Sequence, residues 1–385
     1  MLYALFWMSL ILLVYIYAGY PLLVRLAARL APEPVRAHDG ETPRVSVLIA
    51  AFNEAAEIEA TLRNKLAQNY PADRLELLVI SDDSDDGTDD IVRNVAAGSA
   101  IPVRLFRQVP RQGKTAGLNT LVPEASGEIL LFSDANSQWD PDAIRYLVSN
   151  FADPEVGYVT GKMVYVNDAG NLVGDGCSAY MKYENWLREQ ETRTGSIIGV
   201  DGGIDAMRKA LYRPLNPDQL PDFVQPLKVV EQGYRVVYEP RALLKEPALS
   251  DSTSEFSMRV RVSLRALWAL KDMAALMNPL RHGFFALQLI SHKLLRYLAF
   301  IPLATFTLAT LLLMPRGGIY PLAFLGLVAL YGLAWIGSKN ESAGRNFGPL
   351  YSVPYYFLLL NVASLKAVLA FLRGEKRVVW KPRKG

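Results

Sequence analysis

LELLVISDDSDDGTDD, residues 75–90, decides how the middle of this chain folds. Residues 75–80 are apolar apart from Glu76, so they read as a strand buried on both faces. The strand runs straight into an acid-rich turn, where Asp86-Gly87-Thr88 has the chemistry of a helix start. The same unit recurs on either side. VSVLIAA (45–51) precedes a polar break at Asn53-Glu54 and a helix reaching about Asn69. A strand near 102–107 precedes a helix beginning near Lys114, and EILLFS (128–133) ends at Asp134. Strand–helix–strand repetition at this spacing predicts an α/β domain with a doubly wound, mostly parallel sheet. Such sheets bind ligands beyond the C-terminal ends of their strands, which is where Asp82-Asp83 and Asp134 fall. No sequence repeat and no low-complexity stretch interrupts the pattern.

The charge of the whole chain is +3, but it is unevenly distributed. Residues 31–283 carry 27 Lys/Arg against 36 Asp/Glu, or −9; the two ends carry 14 Lys/Arg against Glu341 and Glu375, or +12. An acidic middle between basic, apolar ends is the profile of a membrane-anchored enzyme. It excludes a nucleic-acid reader, whose basic excess would sit on the soluble part. Cys177 is the only cysteine, so no internal disulfide forms and a reducing cytosolic face suits the chain.

Residues 1–24 contain no charged side chain, and Arg25, Arg29, Arg36 and Arg44 follow them. A cleaved signal peptide would carry its basic residues before the apolar run. The order here predicts an uncleaved anchor with its C-terminal side in the cytosol. Apolar stretches at about 297–315, 319–337 and 350–372 predict three more spans, with Lys366 snorkelling or facing protein. Before them, His292, Lys293 and Arg296 interrupt an apolar run and read as cations at headgroup level on an interfacial helix. Three C-terminal spans put the tail opposite a cytosolic middle, whereas the basic tail RGEKRVVWKPRKG puts it on the same side.

A doubly wound sheet invites a dinucleotide reading, but the first turn is AAFNEA, with Phe52 where a glycine is required. Gly113-Lys114-Thr115 likewise lacks the upstream glycines of a P-loop. The ordered set VSVLIAAFNEAAEI (45–58), VISDDSDDGT (79–88), RQGKTAGLN (111–119), LLFSDANS (130–137), VDGGIDAMRK (200–209) and LPDFVQPLKVVEQGYRVVYEP (220–240) instead resembles the family 2 glycosyltransferases, which have a GT-A fold. A basic helix around 259–265 completes the set, and the resemblance covers roughly 45–296. Each element alone is weakly specific; their order is highly specific. The flanking apolar helices make the chain similar to membrane polysaccharide synthases such as hyaluronan, chitooligosaccharide and poly-N-acetylglucosamine synthases.

The resemblance implies roles for individual residues. It assigns Asp82 to the nucleotide base, and a carboxylate at a strand end can accept a hydrogen bond from a uracil N–H. Asn53 and Glu54 occupy the equivalent end of the first strand; Glu54 alternatively favours the following helix dipole. Lys114 precedes a helix and can reach a diphosphate, the alternative being a surface lysine. SDAN (133–136) matches the family's D-x-D, in which the first acid meets the nucleotide and the last holds a divalent cation. Asp134 is kept and Asn136 replaces the second acid; an amide oxygen still ligates Mg2+ or Mn2+. Asp222 matches the last residue of the family's T-E-D motif and is the expected general base. Leu220-Pro221 replace its Thr-Glu, and Asp222 also has the position of a helix cap.

Acceptor and diphosphate contacts are expected from Trp186 and Arg188 in YMKYENWLR (180–188), Gly202 and Gly203, and Arg259 and Arg261. Trp186 alternatively belongs to a core stripe, and the arginines alternatively meet lipid headgroups. The Q-x-x-R-W signature of polymerising members falls on 258–262, where Arg261 is kept and Met258 and Val262 replace Gln and Trp. Trp268 is a substitute stacking platform or a core residue.

The resulting expectation is a membrane-embedded inverting glycosyltransferase that moves sugar from a cytosolic UDP-sugar to a growing polysaccharide, coupled to export. Its cofactor is Mg2+ or Mn2+, and its partners are the donor, a polysaccharide or lipid-linked acceptor, and membrane lipids. Two alternatives are single-sugar transfer to a polyprenyl phosphate or other lipid, and an inactive scaffold retaining a nucleotide-binding domain. The expected layout is an anchor at 1–30, a cytosolic GT-A domain at 31–255, interfacial helices at 256–296, about three spans within 297–372, and a basic tail at 373–385.

Overall fold

Complete burial marks the middle of the sheet. Every residue of β1 (Val45–Ala51) and β2 (Leu75–Ser81) is buried, as central parallel strands covered on both faces must be. In the computed structural model, which describes residues 1–166, 172–247, 252–341 and 348–376, they pair in parallel with Val45 opposite Leu75 and Ala51 opposite Ser81. β3 (Val103–Arg107) extends the parallel array beside β2, and β4 (Ile129–Asp134) extends it beside β1, with Ala50 opposite Asp134. These registers bring the ends of β1, β2 and β4 to one edge, so the Asn53, Asp82 and Asp134 turns are neighbours.

Beyond β4 the pairing reverses. The remaining strands are β5 (Gln138–Trp139), β6 (Val156–Val166), β7 (Asp205–Arg208) and β8 (Arg235–Pro247). β7 runs antiparallel to β4 and to β6, with Asp205 opposite both Phe132 and Thr160; β5 is antiparallel to β8. The sheet order is β3-β2-β1-β4-β7-β6-β8-β5, a mixed sheet whose parallel half is the one the strand–helix spacing requires.

The helix Lys114–Glu124 buries Leu118, Leu121 and Val122 against Leu48, Leu78, Ile80 and Phe132. Each fully buried leucine contributes about 2 kcal/mol. Gly117 permits this close approach, since a Cβ there would stand 2.9 Å from Ile80.

The described chain forms two compact units. The sheet unit comprises Ala31–Val164, Arg188–Glu246 and Lys376–Gly385; the helical unit comprises Met1–Leu30, Tyr165–Leu187 and Pro247–Glu375. Residues 377–385 of the basic tail lie outside the described residues.

Three helices of the helical unit are long and apolar enough to cross a membrane: Leu2–Leu30, Tyr320–Lys339 and Pro349–Leu372. The span expected at about 297–315 falls in a bent pair of helices that together are long and apolar enough to cross. Phe300–Leu313 has 14 residues, about 21 Å of helix against a hydrocarbon core of about 30 Å. Pro279–Tyr297 precedes the segment Phe300–Arg316, and the two meet at a bend of 58°.

Ion pairs hold the charges of this unit. Glu184 accepts from His292 Nε2 at 3.1 Å and from Arg296, whose guanidinium also lies 5.6 and 5.3 Å from the Tyr180 and Tyr183 rings. His292 and Arg296 are therefore partners of a buried carboxylate. Lys366 faces protein, its ammonium 5.4 Å from the Phe256 ring. Trp268 belongs to the packing: its ring lies 4.6 Å from Phe371 and its Nε1 donates to the Glu375 carbonyl.

Removing one member of a buried charge cluster strands the others. Glu184→Ala is expected to destabilise the protein by about 3 kcal/mol, read as a lowered Tm in detergent. An unchanged Tm would show that the cluster contributes nothing.

Candidate active site

The three strand ends carry the site. At the end of β1, Asn53 takes a left-handed backbone (φ 53°), and its side chain exchanges hydrogen bonds with Asp85. The Glu54 N–H donates to Thr88 Oγ1 at 2.9 Å, tying the first turn to the second. Glu54 is half-buried, and its carboxyl is pushed up to about 7 by burial and then by Asp134, Glu57 and Asp86. A carboxylate that resists ionisation beside other acids marks a place short of positive charge.

At the end of β2, Asp82 is buried and accepts from Gln108, from the Gln112 N–H at 2.8 Å, from the Gly113 N–H at 3.1 Å and from Arg111 Nε at 3.2 Å. The expected base-binding carboxylate thus fastens the chain's own 108–113 loop. That loop lays the Arg111 guanidinium 3.3 Å from the centre of the Phe52 ring, a stacked pair at the mouth of β1.

The same loop delivers Lys114. Gly113 adopts φ +95°, and the helix starts at Lys114. Its ammonium stands 2.8 Å from Asp134 Oδ1 at the end of β4 and 3.3 Å from Asp222 Oδ1 in the first turn of the helix Pro221–Glu231. Burial opposes the lysine charge, but Asp134 and Asp222 outweigh it and hold the pKa above the ordinary lysine value. Gly202, with φ +82°, lies directly against Asp222; a Cβ at Gly202 would come within 2.5 Å of the carboxyl carbon. The Gly203 carbonyl accepts from Trp139 Nε1 at 2.8 Å.

Not every expected residue joins this group. Arg188 is buried and pairs with Asp201 at 2.7 Å, a structural contact in place of the acceptor contact expected. Trp186 belongs to the helical unit, where it packs with Tyr20, Val24 and Leu187, so the core-stripe reading is the one realised. Arg259 and Arg261 also belong to the helical unit. Arg259 hydrogen-bonds Glu255 at 2.7 Å and Cys177 Sγ at 3.6 Å.

Sequence reasoning missed Lys65. It is wholly buried, donating to the Ser137 carbonyl at 2.6 Å and to Asn64 Oδ1 at 3.0 Å, with its ammonium 4.2 Å from the Trp139 ring centre. It thereby pins the turn that follows Asp134. Burial lowers its pKa well below the lysine value, against the opposing pull of Asp134. The signal was present: Ile58, Thr61, Leu62 and Lys65 repeat at the spacing of a buried helix face.

The oxygen set suits a hard cation. Asp134 and the half-buried Asn136 supply two oxygen donors, and no group of three or more His, Cys, Asp or Glu among the described residues is arranged to hold a metal. Mg2+ and Mn2+ are commonly held by one or two protein oxygens plus substrate phosphates and water, so the donors fit.

Residues 46–214 match the family model described as Glycosyl transferase family 2. The beta-monoglucosyldiacylglycerol synthase of Trichormus variabilis is 31% identical over 172 residues, 44% of this chain and 36% of that protein. The poly-beta-1,6-N-acetyl-D-glucosamine synthase of Staphylococcus aureus is 27% identical over 209 residues, 53% of this chain and 50% of that protein. The chain spans half or less of the length of these two curated relatives. Among solved structures, the mannosyltransferase PcManGT from Pyrobaculum calidifontis, in complex with GDP-Man and Mn2+, superposes with a TM-score of 0.70 at 24% identity. That alignment covers 95% of this chain and 99% of the other, and the likeness is one of fold.

A cation held beside Asp134 would favour the ionised form of Glu54 and release its proton. Calorimetry with Mn2+ and UDP is expected to show tighter binding at about pH 8 than at about pH 6, with proton release that Glu54→Gln abolishes. Identical proton release in that variant would remove Glu54 from the linkage.

Proposed function

We propose, on the premise that residues 46–214 form a glycosyl transferase family 2 domain, that this chain is a membrane-bound inverting glycosyltransferase. It takes sugar from a UDP-sugar and extends a polysaccharide. One observation carries the reading: a single ammonium, Lys114, touches both the carboxylate of the cation motif and the carboxylate expected to act as base. Nucleotide, leaving group and acceptor proton are then handled within one side chain's reach.

The chemistry follows from the charges. As the glycosidic bond to the diphosphate breaks, negative charge builds on the departing oxygens. Lys114 can exchange its carboxylate contacts for these oxygens, a charge-assisted pairing that strengthens as the charge develops. Asp134 and Asn136 would hold Mg2+ or Mn2+, which supplies neutralisation of the same leaving group. Asp222 accepts the proton of the incoming hydroxyl. One carboxylate base is sufficient for direct displacement, which inverts the anomeric carbon. The Phe52–Arg111 stack offers a flat platform for a base, and Asp82 acts by holding that platform.

A second reading, transfer of one sugar to a lipid, is supported by Met258 and Val262, which remove the stacking Trp of polymerising members. Kinship to a beta-monoglucosyldiacylglycerol synthase supports it as well. Product size separates the two: a ladder of masses favours polymerisation, and one lipid-soluble product favours single transfer.

Membrane topology has its own support. Lys376 hydrogen-bonds Asp218 within the sheet unit, which supports a tail on the same side of the membrane as that unit. An even number of crossings then lies between them, met by Tyr320–Lys339 and Pro349–Leu372 with the bent Pro279–Arg316 region remaining re-entrant. On this reading the basic tail and the helix count agree.

Two measurements test these readings. Asp222→Asn, assayed on a panel of UDP- and GDP-sugars with Mg2+ or Mn2+, is expected to lose about 100-fold or more in turnover while still binding UDP–Mn2+. Wild-type turnover would end the base assignment. In sealed vesicles, Arg373→Cys and Arg93→Cys are expected to label with an impermeant maleimide from the same side, against a low background from buried Cys177. Labelling from opposite sides would reject the re-entrant reading.

A further inference from the structure

Asp205 is a carboxylate with no assigned task in a costly place. It is fully buried on β7, between Phe132 of β4 and Thr160 of β6, two positions along the ladder from Asp134. Burial of an acid is tolerated only when donors surround it. Three do: Tyr158 OH at 3.0 Å and the Gly202 N–H at 3.0 Å reach Oδ2, and Thr160 Oγ1 reaches Oδ1. Thr160 also accepts from the Asp201 N–H at 3.3 Å, which continues the network to the Asp201–Arg188 pair.

Gly202 links this network to the chemistry. Its left-handed backbone excludes other residues, and its Cα face has no room even for a methyl group because the Asp222 carboxyl rests there. Whatever holds the Gly202 peptide therefore holds the floor under Asp222. The holder is Asp205.

We propose that Asp205 is a positioning residue for the transfer reaction: it anchors the Gly202 peptide beneath Asp222. This rests on the reading of Asp222 as the base. The charged and titratable groups facing Asp205 are Tyr158 on β6, Asp201 with its partner Arg188, and Asp222 with its partner Lys114. Burial pushes the Asp205 carboxyl up to about 7; the Thr160 hydroxyl opposes this, and Asp222 and Asp201 add to it. Two like charges sharing low-dielectric surroundings titrate as a coupled pair, each making the other harder to ionise. Below about 7 Asp205 is largely protonated, so what it contributes to Asp222 is its hold on the Gly202 peptide.

The test is the kcat and donor KM of variants, followed as nucleoside diphosphate released from the best donor of a UDP- and GDP-sugar panel with Mn2+. Asp205→Ala, which releases the Gly202 N–H, is expected to lower kcat about ten-fold at an unchanged donor KM. Asp205→Asn keeps the shape, its oxygen still accepts from Gly202, and it is expected to restore most of the lost kcat. Thr160→Val, which loosens Asp205 by removing its Oδ1 donor, is expected to lower kcat several-fold at an unchanged KM and covers the case in which Asp205→Ala does not fold. Gly202→Ala is expected to lower kcat about 100-fold with UDP–Mn2+ binding retained. An unchanged kcat in folded Asp205→Ala or Thr160→Val, while Asp222→Asn is inactive, overturns the positioning role alone. An active Asp222→Asn overturns the base reading and the Asp205 role with it.

Discussion

The contact of Lys114 with Asp134 and Asp222, at 2.8 and 3.3 Å, is the interaction that the sheet unit is arranged to make. Two carboxylates cannot face one partly dry space without a cation between them, because their repulsion grows as water is withdrawn. Each component is delivered by a different device. Asp134 comes from the register of β4 against β1. Lys114 comes from a glycine-started helix whose preceding loop is fastened by Asp82. Asp222 comes from a proline-started helix and rests on Gly202. Loss of any one device would leave the remaining charges without their counterpart.

That arrangement also explains how the site can bind without being rigidly satisfied. Lys114 balances two acids before any donor arrives, and Glu54 next to them is held near 7 by burial and then by the neighbouring acids. A diphosphate arriving with a divalent cation brings both signs at once, so the local balance is kept while the partners change. The proton on Glu54 makes the exchange sensitive to pH. Such matched, replaceable charges are a means of preorganisation, since their dipoles need little rearrangement when the bond breaks.

Pairing governs the helical unit too, with a different result. Glu184 with His292 and Arg296, and Glu255 with Arg259 and Tyr356, are buried clusters in which the expected cations meet protein carboxylates. The cost of burying a lone arginine exceeds that of bringing in an acid, so the helices carry their own counter-charges. Arginines that the linear sequence offers to a diphosphate or a headgroup thus also meet carboxylates of the protein. The 58° bend beside Arg296 interrupts an apolar run that composition alone counts as a full span.

The strands, their order along the chain and the acids at their ends were legible in the sequence, because burial periodicity and turn chemistry are local properties. Asp134, Lys114 and Asp222 could be singled out by motif order. Their meeting could not be read, since Lys114 and Asp222 are 108 residues apart and join only through sheet register and two positive-φ glycines. Lys65 and Asp205 stayed hidden for the same reason: a lysine on a helix or an aspartate in a strand reads as solvent-facing until its neighbours are known. Asp82 shows the converse, an acid that looks free in sequence and is held by four donors from a loop about thirty residues on. Local spacing determined the elements, the charge division and the candidate acids. Tertiary structure alone decided which charges are paired, because pairing energy depends on distance and burial, and neither is a property of one stretch of chain.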